Sequence, residues 1–518
     1  MESVRRFGAI VGADLLERTR STRFWVIQAM LCIASWWSFP TMEKEYVVLA
    51  VNGHLRGEYS SAWIGMVVAM LSVWLSLIGF YLVRGTLVRD FETRVWQLLV
   101  ATPLTRSAYL LAKWCSNMAV LSLVLAGALA VGVVAQLVRG ENPDLDLVEL
   151  VKPALLLAIP SLALTSLLAL VFDLVPPLRR TAGNVLFFIL WIASLAATVP
   201  AMKSAAAGEG AGPWLGDPRG MVVFQHSLVR QVAPQLKGEE LRNGFCMVCV
   251  VKTERRGQFA WPEWQQDAPM IAGRLLWLLL AIGGVMLCAP WLDRAAASGE
   301  KTRVASASGS GRSLRFLDLL MTPIQSTQLG TLVAAELQLT LRQRPGWWWL
   351  ALLGTAGAGM LAPAPVGALA VVGGWALLLD RYGQAALYES STRTGPLIFS
   401  ANGAGKRVLR ARWTVLFALG VLVNLPAVLR FGFSQPMTAL AIIIVAASLP
   451  AWSIACGALT GNSRTFELLA CMFGYLAVNG IAVLNVGSDP AWTSMVHILA
   501  LPPVIFVASK SWVRMSQR

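Results

Sequence analysis

Charge is what this sequence has least of. Only 14% of its 518 residues are Asp, Glu, Lys or Arg, while 56% are hydrophobic. Soluble domains carry about 25% charged residues, so a soluble globular protein is excluded. Other shortages narrow the chemistry. There is no G-x-x-x-x-G-K-[ST] motif, because Gly405-Lys406 is followed by Arg407 and lacks the leading glycine; the chain therefore has no phosphate cradle, and no ATPase site of its own is expected. Its three histidines, His54, His226 and His497, are far apart in sequence, which leaves no H-E-x-x-H pair, and no metal or cofactor is expected. Glycosyl transfer or intramembrane proteolysis needs paired carboxylates, a Ser/His pair or a metal near the membrane surface. Beside the first apolar run only Glu43 and Glu45 form a close external carboxylate pair, so a polytopic membrane enzyme is a weaker alternative. Ionisable residues are also missing from the middle of the apolar runs: Asp173, Arg274, Glu467 and Lys510 fall near run ends. That argues against a secondary, ion-coupled transporter, which usually needs such groups at mid-membrane. A cleavable signal peptide is not expected, since no small-residue cleavage site follows the first apolar run.

What is present is apolar length. Crossing a bilayer as a helix takes about 20 apolar residues, and twelve runs approach that: 24–40, 63–83, 109–137, 150–172, 184–202, 270–291, 347–362, 366–380, 413–429, 436–459, 465–485 and 492–508. Pro363-Ala364-Pro365 joins the seventh and eighth, which are short enough to form a hairpin that does not fully span. The net charge of +15 falls on the segments that lie inside if the N-terminus is cytoplasmic, leaving the external ones close to neutral. This is the positive-inside pattern. It orients the chain with both termini cytoplasmic and assigns the basic residues to anionic lipid headgroups, so no nucleic acid is expected as a partner. Tryptophans at run ends, such as Trp36, Trp37, Trp63, Trp114 and Trp347 to Trp349, suit an interfacial aromatic belt.

In chain order, residues 2–20 place Val4, Phe7, Ile10, Val11 and Leu15 on one helical face and Arg5, Arg6, Glu17 and Arg18 away from it, a helix that lies flat in the headgroup region. Between the second and third runs stands a charge-mixed island, R-G-T-L-V-R-D-F-E-T-R-V-W-Q-L-L-V-A-T-P-L-T-R-S-A-Y-L-L-A-K-W at 84–114. Its first half is predicted to form a short amphipathic helix that Thr102-Pro103 ends. The acidic loop E-N-P-D-L-D-L-V-E-L at 141–150 lacks calcium-loop spacing and reads as a solvated loop with a helix start. In the large external segment 203–269, Cys246 and Cys249 form a C-x-x-C without a second ligand pair. A local disulfide or two unlinked thiols suits them better than zinc, and the segment reads as a lid over the external mouth.

From Asp293 to Gln328 the composition turns to Ala, Ser and Gly, a flexible linker. The halves on either side resemble each other. Ala335-Glu336-Leu337, Arg342 and Trp347 match Ala13-Asp14-Leu15, Arg20 and Trp25 at one offset, and L-R-A-R-W at 409–413 echoes L-L-A-K-W at 110–114. The expected fold is thus an all-α polytopic membrane protein of about twelve transmembrane helices, two tandem six-helix bundles at 1–292 and 329–518 with the linker 293–328 between them.

The entry helix with A-D-L-L-E-R-T-R-S-T-R-F-W, followed by the island with its T-P-L-T-R and lysine-terminated helix start, resembles the type-2 ABC exporter permeases (the ABC-2 membrane family). The match covers the first half; the second half departs from it, with Gly395-Pro396-Leu397 and S-A-N-G-A-G-K-R where T-P-L-[ST]-R would stand. The resemblance implies an inner-membrane export permease, and spans lined by apolar and small residues without fixed charges suit a hydrophobic or amphipathic cargo such as a lipid, drug or peptide. It implies a separate cytoplasmic ATP-binding subunit, in two copies, as the partner. Residues 2–20 would be an elbow helix and 84–106 a coupling helix. The implied contacts with the ATPase are Arg89, Asp90, Glu92, Arg94, Trp96, Gln97, Thr102 and Arg106. Their counterparts in the second half are Asp380, Arg381, Glu389, Arg393, Asn402 and Lys406.

Overall fold

A computed structural model describes residues 2–41, 46–52, 54–93, 95, 105–179, 181–206, 217–235, 245–250, 257–297, 322, 324–342, 344, 346–392, 394–401, 403–478 and 484–516. The chain divides into two compact units, Met1–Val304 and Ala305–Arg518.

The first unit opens with α1 (Glu2–Thr19) and α2 (Thr22–Trp37), separated by Ser21, whose hydroxyl accepts from the backbone N–H of Phe24 as an N-cap. Long helices follow: α3 (Ser61–Val83), the short α4 (Thr86–Glu92), α5 (Arg106–Arg139) and α6 (Leu147–Leu174). After them come α7 (Thr181–Ala206), the shorter α8 (Met221–Val232) and α9 (Ala268–Leu287). In α6 the segment Ala154–Ala158 winds as a π-turn just after Pro153. A proline inside a helix removes one i→i−4 bond, and local widening is one way the neighbouring carbonyls find other donors.

The second unit contains α10 (Gln328–Arg342), α11 (Gly346–Leu361), α12 (Ala364–Ala376) and three short helices, α13 (Leu379–Gln384), α14 (Tyr388–Thr392) and α15 (Gly395–Phe399). Then come α16 (Ala404–Leu422), α17 (Leu425–Ser434), α18 (Pro436–Thr460), α19 (Ser463–Val478) and α20 (Pro490–Ser516).

Seven helices among the described residues are long and apolar enough to cross a membrane: Ser61–Phe91, Arg106–Arg139, Leu147–Leu174, Thr181–Ala205, Ala268–Ala297, Pro436–Thr460 and Pro490–Trp512. The chain is therefore a helical membrane protein. The remaining five of the twelve apolar runs take other forms. Those at 24–40, 347–362 and 366–380 contain helices of 16, 16 and 13 residues, and the run at 465–485 is helical through Val478. The run at 413–429 breaks at Asn424-Leu425-Pro426, where α16 and α17 meet at 63°. Pro426 explains the break: its ring clashes with the preceding turn and it offers no N–H to continue the ladder. Arg430 of α17 then donates to the carbonyls of Gly359 and Ala362, the otherwise open C-terminal end of α11.

An expectation of helices alone misses a small sheet in the first unit. Strands β1 (Tyr46–Val51), β2 (Leu55–Gly57), β3 (Phe245–Val250) and β4 (Gly257–Phe259) lie in the order β3-β1-β2-β4. The pairs β1/β2 and β1/β3 are antiparallel, and β2/β4 is parallel. Y-V-V-L-A-V and F-C-M-V-C-V are rich in β-branched and aromatic residues, but they sit inside segments whose hydropathy marks them only as loops. Cys246 and Cys249, opposite Ala50 and Val47 in the register, are bonded to each other through their sulfurs. The acidic loop is exposed from Pro143 to Val148 and starts a helix at Leu147, as expected, but it is moored at both ends. Glu141 receives both arms of the buried Arg56 guanidinium and the N–H of Tyr59. Asp146 caps α6, and Glu149 meets Lys152 and the N–H of Trp264. Glu43 and Glu45 lie outside the described residues.

Candidate functional site

The short helix α4 is where the sequence and the packing converge. Gly85 starts it at φ 88°, a left-handed conformation that costs an L side chain about 1–2 kcal/mol, so α3 can end and α4 can leave in a new direction. The N–H of Gly85 donates to the Asp173 carboxylate at 2.7 Å, and Arg84, 4% exposed, lies 3.7 Å from the same carboxylate and donates to Asn184 and to the carbonyl of Leu178. Asp173 therefore acts at the hinge between the two helices. Its placement near a run end reflects this mooring. Leu87 of α4 is fully buried in a cluster with Tyr109, Leu110, Trp114, Leu170, Leu174 and Val285, which fixes the apolar face of α4 on α5, α6 and α9. Replacing Gly85 by Ala is expected to destabilise the first unit by about 1–2 kcal/mol, read as a lower apparent melting temperature of the detergent-purified chain.

The other end of α4 is held by charge. The Lys113 ammonium, on α5, lies 2.9–3.0 Å from both oxygens of Asp14, on α1, and 2.7 Å from Asp90, on α4. Asp90 also accepts from the Tyr109 hydroxyl at 2.5 Å. All three charged groups are buried, so each depends on the others for the solvation that water no longer supplies. Around this clamp, Arg89 pairs with Glu17 and approaches Asp14 at 4.0 Å. Arg18 donates to the amide oxygen of Asn117 at 2.8 Å, and burial pulls its guanidinium down to about 10, against the opposing pull of Asp14.

The second unit repeats the arrangement. Arg412 of α16 donates through Nη2 to Glu336 of α10 at 2.7 Å and through both terminal nitrogens to Glu389 of α14 at 2.9 and 2.5 Å. Its Nη1 also reaches the carbonyl of Ala385. Glu336 stands where Asp14 stands in the duplicated entry segment. Lys113 and Arg412, and likewise Asp90 and Glu389, are separated by one common spacing. A cation on the helix that follows the island, held between a carboxylate of the entry helix and one of the short helix, is thus a feature of both units.

Several of the implied contact residues are spent on this architecture. Asp90 and Glu389 are 5% and 2% exposed, with carboxylates committed inward, so they position the short helices and do not present a free surface. Arg106 opens α5 and pairs with Asp293 at 2.5 Å, so the short helix does not extend to it. Asp380 meets Arg344 at 2.9–3.0 Å and Arg381 at 3.6 Å. Burial pulls the Arg381 guanidinium downward, with Asp380 opposing. Lys406 is exposed, Arg89 is partly so, and Thr93 and Val95 just beyond α4 are exposed. Arg94, Trp96, Gln97, Thr102, Arg393 and Asn402 lie outside the described residues, as does the side chain of Glu92.

Two other polar pairs bear on enzymatic or ion-coupled readings. Ser448 and His497, distant in sequence, meet at 2.6 Å between α18 and α20. The Ser448 hydroxyl also lies within hydrogen-bond distance of the Val445 carbonyl one turn back, and the pair forms a buried polar contact between two helices. Arg274 and Asp217, both fully buried, sit 3.8 Å apart, and Asp217 accepts the N–H groups of Met221, Val222 and Val223 at the start of α8, an N-terminal cap. Among the described residues no group of three or more His, Cys, Asp or Glu side chains could hold a metal ion. Compared with protein-family models, with curated proteins and with solved structures, the chain gives no match.

Proposed function

We propose that this chain is the membrane permease of an ATP-binding-cassette exporter of the type-2 membrane family, built as two six-span halves with both termini in the cytoplasm of an inner-membrane setting. ATP is hydrolysed by a separate cytoplasmic subunit, present in two copies, and the cargo is a hydrophobic or amphipathic lipid, drug or peptide. The observation that carries this reading is the repeated clamp. A permease without its own engine must turn a push at its inner rim into motion of its spans. A short helix that is locked by buried charge to both the entry helix and the following span can move all three together. Interiors are close-packed and transmit strain, so a displacement of α4 at its exposed end reaches α5 through Lys113 and α3 through Gly85 and Asp173. The docking surface lies beyond the buried carboxylates, at Arg89, Thr93 and Val95 in the first unit.

The test is capture in cells. A photo-crosslinking residue at Thr93 or Val95 is expected to trap a nucleotide-hydrolysing protein, and the same residue at Leu279, on the lipid-exposed face of α9, is expected to trap none. Purified together, the two proteins should show an ATPase turnover that changes when the chain is added. Absence of any ATPase among the Thr93 and Val95 adducts, in cells where the chain is inserted and stable, would overturn the proposal.

A further inference from the structure

Between α2 and α5 of the first unit runs an apolar groove of about 620 Å³. One wall is a four-residue ladder, Phe24, Gln28, Cys32 and Trp36, each one helical turn beyond the last. The facing wall is cut low by Gly127 and Ala130. A Cβ at Gly127 would lie 2.0 Å from the Gln28 amide nitrogen, so glycine is required for the side chain of Gln28 to lie against α5. That amide nitrogen donates to the Cys32 sulfur at 3.4 Å, along its own helix, which leaves the groove apolar over its length. At the Trp36 end stands a cation. The Arg139 guanidinium lies 5.0 Å from the Trp36 ring and donates through Nε and Nη2 to the carbonyl of Phe39, which fixes the plane of the fork. The acid nearest in sequence, Glu141, is taken by Arg56 and by the N–H of Tyr59.

We infer that this groove holds one phospholipid, with an acyl chain along the Phe24–Trp36 ladder and the phosphate of its headgroup on the remaining arm of Arg139. The occupant follows from the surroundings. The side of α2 turned away from the groove exposes Met30 and Trp37 at 65% and 66%, and Trp25, 57% exposed, stands with Ile33 on the groove's own rim, so the helix carries a tryptophan near each end, as one that meets headgroups at its ends does. A chain lying in this groove covers apolar surface, and a guanidinium N–H makes a charge-assisted hydrogen bond to a phosphate oxygen. The inference does not depend on what drives the protein.

The experiment uses the full chain, purified in detergent, stripped of lipid and titrated with dioleoyl phosphatidylglycerol. Native mass spectrometry reads the occupancy of the one-to-one complex. Ala130→Phe fills the groove from an exposed position and is expected to weaken that complex at least tenfold. Arg139→Gln, which removes the cation, is expected to weaken it about tenfold. Leu279→Phe, on the exposed face of α9 and outside the groove, adds similar bulk elsewhere on the apolar surface and is expected to leave the complex unchanged. Equal occupancy in the wild type and Ala130→Phe, with both eluting as the same folded species, overturns the assignment. So does displacement of the lipid by millimolar inorganic phosphate, which would mean that Arg139 binds an anion without the groove.

Discussion

Lys113→Met is expected to cost the first unit about 3–5 kcal/mol, the range for removing one partner from a buried ion pair and leaving the other charged. Two carboxylates are stranded by that single change. Asp14 keeps the distant Arg89, and Asp90 keeps only the Tyr109 hydroxyl of the partners described above. The effect is asymmetric in an informative way. Replacing all three members together, Lys113→Met with Asp14→Leu and Asp90→Leu, removes the charges that need each other, and buried ionic groups exchanged as a set for apolar side chains of similar volume are often neutral in stability. The triple variant is therefore expected to recover most of the apparent melting temperature that Lys113→Met loses, measured by tryptophan fluorescence on the full chain in detergent. If the triple variant melts as low as Lys113→Met, Lys113 stabilises the unit through the packing of its methylene stem, and the clamp is not electrostatic.

Much of this arrangement could be read from the residues, and the failures have physical causes. Helices long enough to span announce themselves by composition, because no other segment type needs some twenty apolar residues in a row; seven such runs appear as long helices. Helices of 13 to 16 residues pass the same hydropathy test, since apolar content does not reveal where backbone bonds stop, and the break after Val423 depends on one proline. The strands were hidden for the opposite reason. They are three to six residues long, and β1 finds its partner β3 almost two hundred residues later, a pairing that no local pattern encodes. The clamps were legible in part. The echo of L-L-A-K-W in L-R-A-R-W put Lys113 and Arg412 in equivalent places, and the entry-segment match paired Asp14 with Glu336. The match did not show that these residues meet one another. The resemblance implies Asp90 and Glu389 as contacts with a partner; both are buried, because a cation from the long helix after the island reaches beneath them.

The second unit carries the same clamp with longer members, and that difference predicts a result. Lysine offers a compact charge that two short Asp carboxylates can approach from either side. Arginine offers a planar fork that a Glu carboxylate matches with two parallel hydrogen bonds. Arg412 uses both terminal nitrogens on Glu389 and one of them on Glu336, so Arg412→Lys keeps the charge but loses the fork. It is expected to cost about 1.5–3 kcal/mol, the range for a hydrogen bond to a charged group. Arg412→Met strands both glutamates and is expected to cost about 3–5 kcal/mol. A double-mutant cycle isolates the pair. Arg412→Met and Glu389→Leu should each lower the apparent melting temperature of the second unit. Together they should lower it by clearly less than the sum of the two, because once the cation is gone the carboxylate is a liability and its removal relieves the structure. Strictly additive losses would mean that the two side chains do not share a bond, and the parallel between the two units would then reduce to a coincidence of sequence.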